Sequence, residues 1–315
     1  MFEKNFRLVG KGFKEKDIED FFKEKREEGV IPIERELEKT AEEKRFIQKI
    51  DDYLGQEFQE LGIKERFKIK QRNFHFLSAE DFYQIFPDTE FDAFCLTPGN
   101  AVFINKDVYP EKETLFKVIL HESIHLSAFK KFYIQNQKEG VNIYIVKPYR
   151  SGYKNINPSE LFHIHFTGLN EAIVDKIVLD IFKKHKKDIL KEFDIEVDRL
   201  AKENKDIFYN LPLEILEIVL EKIAKNNREK PEQVWQRFKK GFFTGEMMHL
   251  RDVEKTFGKG ALRVLAFLGD PTKVLSEQEE SKIKEYFLTD DKEKRDKIAK
   301  QVLSEREKLR YQKNK

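Results

Sequence analysis

Cysteine is almost missing from this chain: Cys95 is the only one in 315 residues. That excludes an internal disulfide and a thiolate zinc cluster, and it predicts a reducing, cytoplasmic setting. Charge of one sign is missing too. Lys and Arg number 60 against 58 Asp and Glu, interleaved along the chain, so no general attraction to nucleic acid or anionic membrane is expected. No stretch approaches the roughly 18 uninterrupted apolar residues of a membrane span. The opening MFEKNFRLVGKGFKEKD has no apolar run after its charges, so no signal peptide is expected. There is no internal repeat or low-complexity tract, and the Gly258-Lys-Gly260 segment lacks the Lys-Ser/Thr ending of a phosphate-binding loop. What remains is a globular, helix-rich composition with 37 % charged residues and 29 Phe to supply apolar volume.

Within it stands His121-Glu122-Ser123-Ile124-His125. Two imidazoles four positions apart lie on one helix face, one turn above the other, and can close on a single Zn²⁺. Glu122 is rotated from His121 by about 100°, so it does not share the ion but reaches a water beside it. Pro110 can open the helix, Glu111 and Glu113 favour its positive end, and Leu115, Val118, Ile119 and Phe129 recur at helical spacing. Leu120, Ile124 and Leu126 lie off that stripe, which predicts burial on more than one side.

Residues 1–32 read as a helical arm or loose N-terminal extension, and Ile33–Leu61 as one long amphipathic helix. Phe67–Gln71, Phe74–Leu77, Asp92–Leu96 and Ala101–Ile104 read as strands, with a turn at Pro98-Gly99-Asn100. A strand over Val141–Val146, a loop over Arg150–Asn155, a cap at Asn157-Pro158 and a helix over residues 168–184 follow. Beyond residue 189 the pattern is helical, with breaks near Leu211-Pro212, Pro231, Gly258–Gly260 and Asp270-Pro271, and an exposed helix or frayed tail at the end. The expected fold is α+β: a small mixed sheet packed on the HExxH helix, the helix over residues 168–184 behind it, then an all-helical C-terminal region. The expected domains are residues 33–188 and 189–315.

HExxH supplies two ligands, and a catalytic zinc takes three protein ligands and a water. The best third is Glu171 in Gly168-Leu-Asn-Glu-Ala-Ile-Val-Asp175, where Asp175, one turn on, can accept a hydrogen bond from a ligating His. In these residues the chain resembles the gluzincin, or thermolysin-like, metallopeptidases, above all their minimal single-domain members. That family pairs HExxH with a downstream Asn-Glu-x-x-x-Asp helix, matched by Asn170, Glu171 and Asp175. It also carries an Asn-Ala-aromatic edge strand for extended substrate, which Asn100-Ala101-Val102-Phe103 resembles. The resemblance spans about residues 95–185, and the interval from His125 to Glu171 is longer than in thermolysin. It further implies a His or Tyr that stabilises the oxyanion, for which Tyr153, His165 and Tyr149 are the candidates and Tyr153 the first.

The expected activity is hydrolysis of peptide bonds with one Zn²⁺ per chain on His121, His125 and Glu171 and with Glu122 as general base. The expected partner is a peptide or protein substrate; the sequence leaves the oligomeric state open. Two other readings stand beside it. One is a zincin-like fold without catalysis, its helical C-terminal half gripping a partner. The other is a di-iron or di-manganese helical protein, since Glu122/His125 and Glu160/His163 are both i, i+3 pairs.

Overall fold

The structure, a computed structural model, describes residues 6–11, 35–97, 100–138, 141–156, 164–197, 210–268 and 275–313. Strand β1 (Phe6–Lys11) is followed by helix α1 (Ala41–Glu60), strand β2 (Phe74–Leu77), the short helix α2 (Ala79–Ile85) and strands β3 (Ala93–Leu96) and β4 (Ala101–Asn105). Helix α3 (Lys112–Ser127) and strands β5 (Lys130–Lys138), β6 (Val141–Ser151), β7 (Lys154–Ile156) and β8 (Ile164–His165) come next. The rest is helical: α4 (Thr167–Phe193), α5 (Asn210–Asn227), α6 (Pro231–Thr244), α7 (Arg251–Phe257), α8 (Ala261–Ala266), α9 (Glu277–Leu288) and α10 (Lys292–Lys313). The class is thus mixed α+β with small sheets and many helices. Among the described residues, no helix is long and apolar enough to cross a membrane.

Two compact units divide the chain: Met1–Ser151 with Ile177–Asn204, and Gly152–Lys176 with Lys205–Lys315. In the first, β2 runs parallel to β4 (Phe74↔Val102 to Leu77↔Asn105) and β3 antiparallel to it (Ala93↔Ile104 to Leu96↔Ala101). Strand β4 is therefore the centre of a three-stranded sheet, and all five of its residues are buried. This corrects the edge-strand expectation for Asn100, Ala101 and Phe103: both sides of β4 are taken, and among the described residues the sheet ends on β3. Phe103 belongs instead to an apolar cluster with Leu77, Phe82 and Ala101, covered by Phe86 and Phe94.

Local chemistry moves several expected boundaries. Helix α1 starts at Ala41, not near Ile33, because Thr40 Oγ1 accepts from the Glu43 N–H at 3.2 Å while Glu43 Oε2 accepts from the Thr40 N–H at 2.7 Å. Upstream, the Leu37 N–H donates to the Phe76 carbonyl at 2.8 Å, a strand-like contact that a helix would forbid. Residues 67–70 alternate in burial as expected of a strand but form none. The Ile69 N–H and the Arg66 guanidinium both bond the Asp51 carboxylate of α1, each at 2.9 Å, so the backbone is tied to a side chain rather than a neighbouring strand. Phe6–Lys11, read as part of a loose or helical extension, forms β1 and lies parallel to β5, Phe6 opposite Lys130. Arg150 and Ser151 extend β6, and only Gly152-Tyr153 turn, so Arg150–Asn155 is not the expected loop. Phe129 lies past the end of α3. Helix α4 runs on past residue 184 to Phe193, with Ile189 and Phe193 buried, and the Lys112 ammonium donates to the Phe193 carbonyl at 3.0 Å. Pro212 sits in the first turn of α5, where a missing N–H costs nothing, instead of marking a break. The expected features at residues 12–34, Pro98-Gly99, Asn157-Pro158, Glu160, His163 and Asp270-Pro271 lie outside the described residues.

Candidate metal centre

Helix α3 is apolar on several faces: Leu115, Phe116, Val118, Ile119, Leu120, Ile124 and Leu126 are all buried. Helix α1 packs on one of those faces, with the Phe46 and Phe116 rings edge to face at 5.1 Å. A helix enclosed in this way holds its side chains in few rotamers, so its two half-buried histidines have a fixed relation. His121 and His125 stand one turn apart with ring centroids at 4.9 Å, and their Nε2 atoms approach to 3.2 Å. Two zinc–nitrogen bonds of about 2.0–2.1 Å at a tetrahedral angle would separate their nitrogens by roughly 3.3 Å. The pair already has the bite of that geometry.

Helix α4 brings the third donor. Its later turns pack on α3 through Phe182 and Phe193, whose rings lie 6.4 and 5.6 Å from that of Phe116. One ligand atom from each of His121, His125 and Glu171 lies within 4.8 Å of the others. This is the one such group of three or more metal-type side chains among the described residues. Two imidazoles and a carboxylate are a donor set that suits zinc. Glu171 and Asp175 are 8 % and 0 % exposed, one turn apart on α4, and Glu122 is 7 % exposed between the histidines.

Tyr109, which stands in no motif, lies just before α3. Burial first, then the negative charges of Asp92 and Glu122, hold its phenol protonated, far above the ordinary tyrosine range. Tyr83 donates to the same Asp92 carboxylate at 2.5 Å. Tyr153, the first candidate for the oxyanion, is fully buried, and its hydroxyl donates to the Phe238 carbonyl at 2.9 Å beside His249 Nε2. A phenol has a single proton to donate, and here it is committed. The other two candidates are also engaged by neighbours: the His165 ring lies 6.3 Å from that of Phe267, and the Lys131 ammonium stands 4.7 Å over the Tyr149 ring. His249 itself escaped the sequence reading, since its partner Tyr153 lies 96 positions away and no local motif surrounds it.

No family model, no curated protein and no solved structure matches the chain.

Proposed function

We propose that this protein is a zinc-dependent peptidase with a zincin-like arrangement of α3, α4 and the β2-β4-β3 sheet. The observation that carries the reading is the His121–His125 pair with Nε2 atoms 3.2 Å apart, joined by Glu171 within 4.8 Å and flanked by a nearly buried Glu122. A zinc ion on these donors would supply Lewis acidity, polarising a peptide carbonyl and making a water acidic enough to lose a proton near neutral pH. Glu122 takes that proton as the water oxygen attacks the carbonyl carbon, then delivers it to the amine nitrogen as the C–N bond breaks. Its low exposure keeps bulk water from competing for the proton. Asp175 orients a ligating imidazole from the next turn of α4. An extended peptide would lie along β3, the end strand of its sheet, bonding through its backbone.

Glu122→Gln tests this directly, because it removes the base while leaving size and the three ligands unchanged. Metal analysis should give about one zinc per chain for both proteins, and hydrolysis of a peptide library should fall at least about a hundredfold in the variant. A wild type that binds zinc yet cuts nothing in a broad library would point to a binding module instead.

A further inference from the structure

The residue before Glu171, Asn170, is held from outside its own helix. Gly152 turns the chain at φ +55°, and a Cβ there would lie 2.5 Å from Asn170 Oδ1 and 2.5 Å from the Phe242 ring. Only glycine lets the turn come down this closely on α4. Asn170 then accepts from two successive backbone amides, the Tyr153 N–H at 3.0 Å and the Lys154 N–H at 3.4 Å, through the same Oδ1. Committing Oδ1 in this way fixes the amide plane, and it directs Nδ2 at Glu171 Oε1, 3.5 Å away.

The turn has its own anchor. The Tyr153 hydroxyl is seated on the Phe238 carbonyl and His249, and a Cβ on Gly241 would run into the His249 ring and lie 2.5 Å from that hydroxyl. The first turn of α4 is tied from outside as well: the Phe166 N–H donates to the Ala266 carbonyl at 3.0 Å and the Gly168 N–H to that of Leu268 at 2.8 Å. These are amides an α-helix cannot satisfy within itself. Asn170, 2 % exposed, is where the turn and the helix start meet.

We infer that Asn170 is a positioning residue for Glu171: by locking the Gly152–Lys154 turn onto α4 and presenting its amide to the neighbouring carboxylate, it sets the rotamer in which Glu171 meets zinc. The inference rests on the zinc reading above. A buried asparagine that served the turn alone would cost stability when lost but would leave metal affinity intact.

A double-variant cycle separates these cases. Zinc dissociation constants would be measured by chelator competition for wild type, Asn170→Ala, Glu171→Ala and the double variant, with thermal midpoints of the metal-free proteins alongside. Asn170→Ala should weaken zinc by at least about tenfold, the scale seen when a partner of a ligand is removed. In the Glu171→Ala background it should cause no further loss, because the group it acts through is gone. An unchanged constant in the first background, or an equal loss in both, overturns the inference. Should Asn170→Ala fail to fold, Asn170→Asp keeps the acceptor for Tyr153 and Lys154 and exchanges only the NH₂ facing Glu171. The same pattern is expected of it, and no loss of affinity overturns the inference. A wild type that binds no zinc refutes the zinc reading and this one together; zinc-bound wild type with zinc-bound, unaffected Asn170 variants refutes this one alone.

Discussion

His185 stacks on Tyr53 with ring centroids 4.1 Å apart, 6 % and 1 % exposed respectively. Burial, then the charge of Lys184, lowers the His185 pKa below its ordinary 6.5, although Asp188, Glu57 and Glu60 pull the other way. A base whose folded pKa is depressed is held neutral by the fold. Its contribution to stability is therefore full above about pH 6.5 and is lost as the pH falls through the folded value. His185→Phe keeps the stacked ring and removes the titration, so denaturant unfolding should show a smaller loss of stability from pH 7.5 to pH 5 than in wild type. Equal losses in the two proteins would assign that pH dependence to other groups. The contrast with His121 and His125 explains what single residues reveal. Those two are legible because their four-residue spacing around Glu122 is itself a pattern that can close on a metal ion. Nothing near His185 or His249 in the sequence tells that one faces Tyr53 and the other Tyr153, since both partners come from distant segments of chain.

At the scale of elements, β3 and β4 carry most of the consequences. The Asn105 N–H donates to the Asp92 carbonyl at 2.8 Å, and the register pairs Ala93 with Ile104. In an antiparallel ladder bonded and non-bonded pairs alternate, so Asp92, Phe94 and Leu96 turn their amides toward β4, whereas Ala93 and Cys95 turn theirs away. Ala93→Pro should therefore leave the ladder and the zinc content intact while removing one backbone donor from the outer edge. If substrate adds there, kcat/KM should drop by about five- to tenfold, the worth of one hydrogen bond; wild-type kinetics in a folded Ala93→Pro protein would dismiss β3 as the docking edge. Phe94→Pro breaks a ladder bond and should lower the thermal midpoint instead. The strands themselves are readable from Phe74-His-Phe-Leu and Ala101-Val-Phe-Ile, which alternate or run apolar between turn residues. Their order is not. A run buried on both faces looks the same at the centre of a sheet as at its edge, and the neighbour that encloses β4 is β2, separated from it by α2 and β3. Residues 67–70 mislead for a related reason: burial alternates, but the hydrogen bonds go to the Asp51 side chain.

For the whole molecule, zinc would act as a ligand of the native state alone, because the unfolded chain separates His121 and His125 from Glu171 by more than forty residues. Binding to the folded form then adds RT ln(1 + [Zn]/Kd), about 4 kcal/mol at a thousandfold excess over Kd. For a chain of this size that raises a thermal midpoint by at least about 5 °C. Chelation should reverse the rise. The substitutions sort by role: Glu171→Ala, His121→Ala and His125→Ala should each remove most of the shift, since each deletes a donor. Glu122→Gln should keep it if Glu122, as proposed, moves a proton and holds no metal. A full zinc-dependent rise in Glu171→Ala would show that the ion has found other ligands, and a lost rise in Glu122→Gln would place Glu122 among the ligands rather than beside them.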